Sequence, residues 1–374
     1  MKKTFIYGVA VEGDNFTDRT KETERLKRSF EHGQNVILIS PRRMGKTSLV
    51  RRVQSLVDTQ TIAVVYINAY DCRSESQFYN KFAAELMIQT SEDAEAVKAN
   101  IKEVLEYLKS KLEFELESDT EKSISSGRTA NNYMHDGFLY LPEVLAQKIG
   151  KHIVVCIDEF QQICELHDSI SILKKMRSMW QLHSNASYCL LGSKKHLMTN
   201  IFKSRRSPFF AFGETIFLQP IATKDWKPFI RGKFEEKGIC ISDTLIERLC
   251  ATVQNQSSYV QQLAANVMLN ATDTVTEQTL EAAIDDMLNQ NTLLFVQQME
   301  GLSAYQINFM KAIAHGINSN FTSKETLSQY DLGSKSNVSK IKEVLKQKEL
   351  IDITPDGIVF SDPVFQLWFT REWC

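Results

Sequence analysis

The stretch Val36-Ile37-Leu38-Ile39-Ser40-Pro41-Arg42-Arg43-Met44-Gly45-Lys46-Thr47 sets the pattern for the first half of this 374-residue chain. Its four leading residues are all apolar, which is typical of a short strand buried on both faces of a parallel sheet. A loop with proline and glycine follows, and the pattern from Thr47 to about Val57 indicates a helix. The order strand, loop, helix predicts the first β-α unit of an α/β sheet.

Four further apolar runs predict the other strands of this sheet. They are Ala63–Ile67, Ile153–Ile157, Ser187–Leu191 and Glu214–Leu218. Segments with helical periodicity, such as Ser76–Ile88, lie between them. Strands that alternate with helices along the chain indicate a parallel α/β sheet.

The second half of the chain has a different pattern. From about Ile221 the strand signals stop, and residues 225–300 have the pattern of several short helices. Residues 301–374 begin as helices and end in a predicted hairpin, Ile351–Thr354 and Gly357–Phe360, which is the order of a winged helix. We therefore predict a sheet core over 1–220, a helical lid over 221–300 and a winged helix over 301–374.

An acidic insert interrupts the predicted core at about 91–132. Between Glu92 and Lys122 it has ten acidic and five basic residues, and Ser123–Asn132 is rich in Ser, Gly and Asn. Such a charge run is typical of a solvated helical arm, and a segment that docks a partner is the alternative.

Overall composition excludes several classes of protein. With 43% hydrophobic residues the chain is not disordered, and 44 basic against 46 acidic residues give no global basic field for nucleic acid. The seven cysteines are scattered, without a CxxC pair or zinc spacing. No apolar run approaches the roughly 18 residues of a membrane span, and the N-terminus makes a poor signal peptide. We expect a cytoplasmic protein with reduced thiols and no membrane contact.

The loop after the first strand has the residues of a phosphate cradle. It fits G-x-x-x-x-G-K-[ST] at Gly45, Lys46 and Thr47 and departs only at Ser40. Backbone N–H groups at a helix N-terminus bind anions, a lysine there reaches the β- and γ-phosphates, and a threonine hydroxyl reaches Mg²⁺. We expect the rest of the loop and the next helical residue to contact the nucleotide as well, namely Pro41, Arg42, Arg43, Met44 and Ser48.

A pair of carboxylates follows the third predicted strand. Ile153–Ile157 leads directly into Asp158-Glu159, and ligands of open parallel sheets bind at the carboxyl ends of the strands. Alone, the pair could be acidic surface. Beside Gly45-Lys46-Thr47 it predicts a nucleoside-triphosphate site, in which Asp158 holds Mg²⁺ and Glu159 activates the attacking water.

Two further polar features near the sheet have open interpretations. Gly192-Ser193 follows the fourth predicted strand, and Ser193 either senses the γ-phosphate or simply belongs to a turn. Lys203–Pro208 contains Arg205 and Arg206, and Arg206 is the candidate arginine finger. A solvated basic loop is the alternative for both arginines.

These motifs resemble those of the archaeal-ATPase-type P-loop proteins, which are related to the STAND and AAA+ ATPases. Ser40–Leu49 matches the family's G-P-R-R-x-G-K-T-S-L at every position but the first. Phe16–Thr20 retains Phe and Arg19 of the family's F-x-G-R-E, and the family's D-E and G-S pairs appear as Asp158-Glu159 and Gly192-Ser193. The resemblance implies that Arg19 contacts the nucleotide and that the nucleotide is ATP or ADP with Mg²⁺.

Three more family motifs lie towards the C-terminus. S-P-L-Y-G-R appears as Ser207–Phe212 without its arginine, and G-x-P-Y-x-x-Q appears as Gln256–Gln262 without its glycine and proline. D-P-x-F-x-x-W is intact as Asp362–Trp368. The resemblance implies a P-loop ATPase core, an α-helical lid and a C-terminal winged helix, in proteins that work as ATP-controlled switches or DNA-associated motors.

The predicted winged helix has two candidate partners. The segment Ser336–Lys348 is expected to be a helix, and its outer face carries the basic residues Lys335, Lys340, Lys342, Lys346 and Lys348. A helix of this kind enters a major groove of duplex DNA with its lysines on phosphates. Residues 302–374 nevertheless contain eight basic and eight acidic residues, which favours contact with a protein or within the chain.

Two functions follow as hypotheses. The first is an ATPase, slow or stimulated by a partner, in which nucleotide bridges core and lid and hydrolysis frees or masks the winged helix, with a protein partner or further copies of the chain as its target. The second is an ATP-dependent DNA-binding protein that assembles on duplex DNA. A scaffold that binds nucleotide without turnover is less consistent with Glu159.

Overall fold

A computed structural model describes residues 4–93, 95–98, 106, 130–354 and 356–374. The predicted acidic insert, about 91–132, lies for the most part outside the described residues. The chain divides into two compact units. One is Ala10–Gln219, and the other combines the N-terminal residues up to Val9 with Pro220–Cys374.

The first unit is built on a five-stranded sheet in its described part, with all neighbouring strands parallel. The strands are β1 Val36–Ile39, β2 Ile62–Asn68, β3 His152–Asp158, β4 Ala186–Gly192 and β5 Glu214–Phe217. Their order across the sheet is β2-β3-β4-β1-β5. All five predicted strands are present within one residue of their expected ends, so the prediction of a parallel α/β core is confirmed.

Helices cover both faces of this sheet. They are α1 Thr20–Glu31, α2 Lys46–Gln54, α3 Glu75–Gln89, α4 Ala130–Ile149, α5 Ser169–Trp180 and α6 Lys195–Lys203, with 3-10 helices at Gly13–Asn15 and Phe160–Glu165. Val36 and Leu38 of β1 pack with α1 and α2, whereas Ile37 and Ile39 pack with the aromatic-rich layer of α3 to α6. Burial on both faces explains why β1 is apolar at every position.

The second unit consists of helices and one hairpin in its described part. The helices are α7 Thr223–Glu235, α8 Asp243–Thr252, α9 Ser257–Asn270, α10 Glu277–Met299, α11 Ala304–Ala314, α12 Lys324–Gln329, α13 Lys335–Gln347 and α14 Pro363–Trp373, and the antiparallel hairpin is β6 Ile351–Thr354 with β7 Gly357–Phe360. The succession from α11 to the hairpin and α14 is the predicted winged helix. The prediction of several short helices over residues 225–300 is wrong for α10, which has 23 residues.

Two expectations drawn from composition concern the cysteines and membrane-spanning helices. All seven cysteines lie in the described part of the chain and are free thiols. None of the described helices combines the length and apolar character needed to cross a membrane.

One apolar core extends through the whole second unit, from the helices after Ile221 to α14. Tyr259 at the start of α9 donates a hydrogen bond to Asp362 Oδ2 at 2.6 Å. The other oxygen of Asp362 caps α14 by accepting the N–H groups of Val364 and Phe365. Two motifs about a hundred residues apart in sequence therefore meet in one structural joint. The boundary predicted at 300/301 remains a prediction.

We expect Tyr259→Phe to lower the free energy of unfolding by about 1.5–3 kcal/mol, because the hydrogen bond that it removes ends on a charged group. Chemical unfolding followed by circular dichroism measures this change. Tyr305→Phe is the matched control, since Tyr305 lies on α11 of the same unit and is 43% exposed. An equal loss of unfolding free energy in the two variants would contradict a stabilising role for the hydrogen bond between Tyr259 and Asp362.

Candidate functional site

The loop Ser40–Gly45 connects β1 to α2 at the carboxyl edge of the sheet. Its backbone continues the β1 ladder, because the N–H of Ser40 donates to the carbonyl of Gly192 on β4 at 3.3 Å. Gly45 has φ +88°, a left-handed conformation that glycine adopts without strain, and Arg43 adopts φ +65°. Ser40 is outside the left-handed region, so serine in place of the family's glycine does not strain this turn.

Lys46 begins α2 and is buried, with 6% of its surface exposed. Its ammonium donates to the carbonyl oxygens of Ser40 at 3.1 Å and Pro41 at 3.2 Å. Burial lowers the pKa of Lys46, while the nearby carboxylates of Glu159 and Asp158 act in the opposite direction. A desolvated cation lies here at a helix N-terminus, whose first N–H groups have no partner within the helix, and such an arrangement suits an anion.

Thr47 and Asp158 come together from distant parts of the sequence. The Thr47 hydroxyl donates to Asp158 Oδ2 at 2.7 Å, across 111 positions of the chain. The hydroxyl of Tyr66, on β2, donates to the same carboxylate oxygen. Burial and the charge of Asp158 raise the pKa of Tyr66, so Tyr66 keeps its proton and remains a donor.

Glu159 lies beside this pair in a left-handed conformation, with φ +53°. Its Oε2 accepts a hydrogen bond from the Ser193 hydroxyl at 2.6 Å and another from the amide nitrogen of Gln161. Gln161 is fully buried, and its amide nitrogen also donates to Ser193 Oγ at 3.3 Å. A Cβ on Gly192 would collide first with the side chain of Met198 and would lie 2.7 Å from Oε1 of Gln161, so a glycine at the end of β4 leaves the space that Met198 and Gln161 occupy.

Arg19 is buried at 3% exposure immediately before α1. Its guanidinium donates to two backbone carbonyls, that of Met44 in the loop at 3.0 Å and that of Gln219 at 2.6 Å. Glu22 is its ion-pair partner at 3.2 Å, and burial lowers the pKa of Arg19. In this structure Arg19 clamps the loop to the segment that follows β5.

The other residues expected to contact nucleotide lie along the same loop. Met44 packs in the apolar layer under α1 and α2, whereas Arg42 and Arg43 are exposed. The Ser48 hydroxyl accepts the N–H of Val11 at 2.9 Å. The structure therefore places these residues around α2, with their side chains facing different directions.

Arg206 is separate from this group. It lies exposed in a turn after α6, where its backbone N–H donates to Ser204 Oγ. No hydrogen bond or ion pair within the described part of the chain joins Arg206 to Lys46, Asp158 or Glu159. Its role as an arginine finger stays a prediction.

The position of the missing family arginine is occupied by an aromatic ring. Phe212 packs on Phe209 with ring centroids 4.8 Å apart, and the guanidinium of Arg177 lies 5.2 Å from the Phe212 ring centre. Ala211, where the family has glycine, adopts φ +52°. The turn at Ala211 thus has the left-handed backbone that glycine adopts without strain, and the Phe212 side chain is buried in the core.

The oxygen donors of Thr47 and Asp158 suit a hard cation such as Mg²⁺, which prefers one or two protein oxygens together with phosphates. Within the described residues, no group of three His, Cys, Asp or Glu side chains could hold a metal by itself. The residues present therefore fit a metal that arrives with a phosphate ligand.

Two residues of this group are absent from the sequence-based prediction. Tyr66 has the only hydroxyl in the apolar run Ala63–Ile67, which is a weak signal for a polar role. Gln161 follows the Asp-Glu pair by two residues in a 3-10 helix, and its burial has no counterpart in the sequence pattern.

A parallel sheet with this loop between β1 and α2, and an Asp-Glu pair at the end of β3, defines a P-loop nucleotide-binding protein. Residues 16–243 match the family of the ATPase domain predominantly from Archaea. The chain belongs to this family. Residues 293–371 match a probable winged helix domain, which agrees with the fold of α11 to α14.

Solved structures share this fold over nearly the whole chain. The Walker-type ATPase paby2304 of Pyrococcus abyssi has a TM-score of 0.70 at 14% identity, covering 98% of this chain and 99% of that chain. The ORC2 protein of Aeropyrum pernix, in ADPNP and ADP complexes, has a TM-score of 0.60 at 14% identity, with 99% and 98% covered. The ORC1 protein of Aeropyrum pernix, in complex with DNA, has a TM-score of 0.51 at 12% identity, with 96% and 94% covered. No curated protein matches the chain.

We expect Arg19→Lys to lower the free energy of unfolding of the nucleotide-free protein by about 1.5–3 kcal/mol, because lysine cannot bridge both carbonyls. Arg25→Lys, which alters an exposed pair with Glu214, should cost less than about 1 kcal/mol. Thermal unfolding without nucleotide measures both. If Arg19 instead acted by touching nucleotide, the variant would be as stable as the parent and only its nucleotide affinity would fall.

Proposed function

We propose that this chain binds ATP with Mg²⁺ and hydrolyses it, slowly or when a partner stimulates it, as a nucleotide-controlled switch. The observation that carries the proposal is the 2.7 Å hydrogen bond from Thr47 to Asp158, which brings the phosphate loop and the Asp-Glu pair into one site. Membership of the archaeal ATPase family supports it.

The phosphate loop would hold the nucleotide through its backbone and Lys46. At present the Lys46 ammonium is satisfied by two neutral carbonyl groups while its burial disfavours the charge. Charged phosphate oxygens are stronger partners for a buried cation than carbonyls are. Lys46 would therefore turn to the β- and γ-phosphates when ATP binds, and the N–H groups of α2 would complete the cradle.

Thr47 and Asp158 would hold Mg²⁺ together with the phosphates. When bound, the ion neutralises charge that develops on the phosphate oxygens. Because the Thr47 hydroxyl donates its hydrogen bond to Asp158, its lone pairs would remain available to the ion.

Glu159 is the proposed general base, and it would orient a water and accept its proton. In the described structure its Oε2 is held by Ser193 and Gln161. Ser193, at the end of β4, would also sense the γ-phosphate. These two contacts restrict the orientations in which Oε2 could meet a water, which is consistent with slow turnover.

The target of the switch would be the second unit. Its lid helices and winged helix share one core and the joint between Tyr259 and Asp362, so we propose that residues 220–374 respond to nucleotide as one body. A protein partner, including a further copy of this chain, would then gain or lose access to the winged helix.

We expect Lys46→Ala to abolish ATP binding and Glu159→Gln to retain binding while turnover falls by at least 10²-fold, because Glu159 is the proposed base. Equilibrium titration with a fluorescent ATP analogue and phosphate release measure the two quantities. Unchanged nucleotide affinity in Lys46→Ala, or full turnover in Glu159→Gln, would refute the assigned role.

Duplex DNA is the second candidate partner, and α13 is the observation that favours it. Lys335 and Lys340 are exposed and Lys346 is half-buried on this helix. Lys342 was predicted to lie on the outer face of this helix. Instead its ammonium lies 5.2 Å from the Phe321 ring centre, and partial burial lowers its pKa. Asn337, near the N-terminus of α13, donates its side-chain amide to the Leu332 carbonyl at 2.9 Å.

If α13 binds DNA phosphates, replacing Lys335, Lys340 and Lys346 with alanine should weaken binding and reduce the slope of log K against log salt by about 3. A control with the same change of charge replaces the exposed Lys21, Lys203 and Lys237. Fluorescence anisotropy with a labelled duplex at several salt concentrations measures the slopes. Equal slopes in the two triple variants would exclude α13 as the contact.

A further inference from the structure

Tyr66 is fixed at three points around the proposed metal site. It lies on β2, the strand at one edge of the sheet. Its backbone N–H donates to Gln89 Oε1 at 2.9 Å, and its carbonyl accepts the Gln89 amide nitrogen at 2.8 Å. Gln89 therefore satisfies both backbone groups of Tyr66 at an edge where no further strand pairs with them within the described sheet.

The ring and the hydroxyl of Tyr66 are held as firmly. The guanidinium of Arg51, on α2, lies 4.6 Å from the centre of the ring. The hydroxyl donates to Asp158 Oδ2, at the end of the neighbouring strand β3. Contacts to its backbone, its ring face and its hydroxyl therefore keep the Tyr66 side chain in one orientation.

The carboxylate of Asp158 is correspondingly constrained. Oδ2 accepts from the hydroxyls of Thr47 and Tyr66, and Oδ1 accepts the backbone N–H of Glu159 at 2.9 Å. Three donors from three separate elements fix the plane of the carboxylate. Without Tyr66, the Oδ2 side would be held by Thr47 alone, which is itself a proposed metal ligand.

We propose that Tyr66 is a positioning residue for the divalent cation: its hydroxyl holds Asp158 in the orientation that lets Asp158 and Thr47 face one Mg²⁺. This inference rests on the proposed function. Hydrogen bonds to a metal ligand from groups that do not touch the metal typically contribute 10- to 100-fold to metal affinity. A phenylalanine would fill the same half-buried place beside the apolar layer of β1 and α2, so the hydroxyl can be removed without removing the packing.

The test is Tyr66→Phe, with nucleotide affinity measured by titration of a non-hydrolysable ATP analogue in Mg²⁺ and again in EDTA. We expect the ratio of the two affinities to fall about 10-fold or more, with the affinity in EDTA nearly unchanged. Tyr259→Phe is the matched control, because it removes another tyrosine–aspartate hydrogen bond from the other unit. It should leave the ratio intact.

Each outcome separates the two proposals. A parental protein without Mg²⁺-dependent affinity would contradict the proposed function itself. If Tyr66→Phe has the same ratio of affinities as the parental protein, or loses nucleotide affinity equally in Mg²⁺ and in EDTA, the role of Tyr66 is overturned and the proposed function is not. If Tyr66→Phe does not fold, Arg51→Met replaces it, since this variant leaves the hydroxyl but removes the cation over the ring. A smaller ratio then supports the inference, and an unchanged ratio counts against it.

Discussion

The hydrogen bond from Thr47 to Asp158 is the contact on which the site depends. Asp158 is the last residue of β3, and Thr47 lies in α2 after the loop that follows β1. These two strands are separated in the sheet by β4, at whose end Gly192 has no side chain and Met198 and Gln161 occupy the space beside it. Gln161 in turn holds Glu159 and Ser193. Strand order, a small residue and one buried amide thus bring the ends of three strands into one polar cluster.

The sequence was sufficient to predict the sheet, because β1, β3 and β4 are almost wholly buried and apolar runs of this kind have few alternatives. The roles of Lys46, Thr47 and Asp158 stay predictions, but their positions at the edge of the sheet were predictable from the loop motif and the strand ends. Tyr66 and Gln161 were not, since a hydrogen-bond partner on another strand leaves no periodic trace. The direction of Arg19 was equally hidden, because a guanidinium that donates to backbone carbonyls needs no particular residue type opposite it.

In the second unit, two sequence motifs contact each other in the folded structure. Tyr259 and Asp362 belong to motifs that looked independent, one in the predicted lid and one at the end of the predicted winged helix. Their hydrogen bond and the contact of Phe295 with Phe365 and Trp368 explain why both ends need these residue types. A lid that shares its core with the winged helix can transmit a change of nucleotide state without a flexible linker between them.

The aromatic ring at Phe212 bears on the rate of the proposed reaction. Phosphoryl transfer needs positive charge near the γ-phosphate, and arginine fingers contribute 10³- to 10⁵-fold in other NTPases. Here the family's arginine is replaced by a ring in the core, and within the described residues no hydrogen bond or ion pair joins Arg206 to Lys46, Asp158 or Glu159. In the proposed site Lys46 would then be the buried cation that faces the phosphates. In the proposed mechanism this deficit of charge would let the site hold ATP until a partner supplies the missing cation. Slow intrinsic turnover and dependence on a partner would then have the same physical origin.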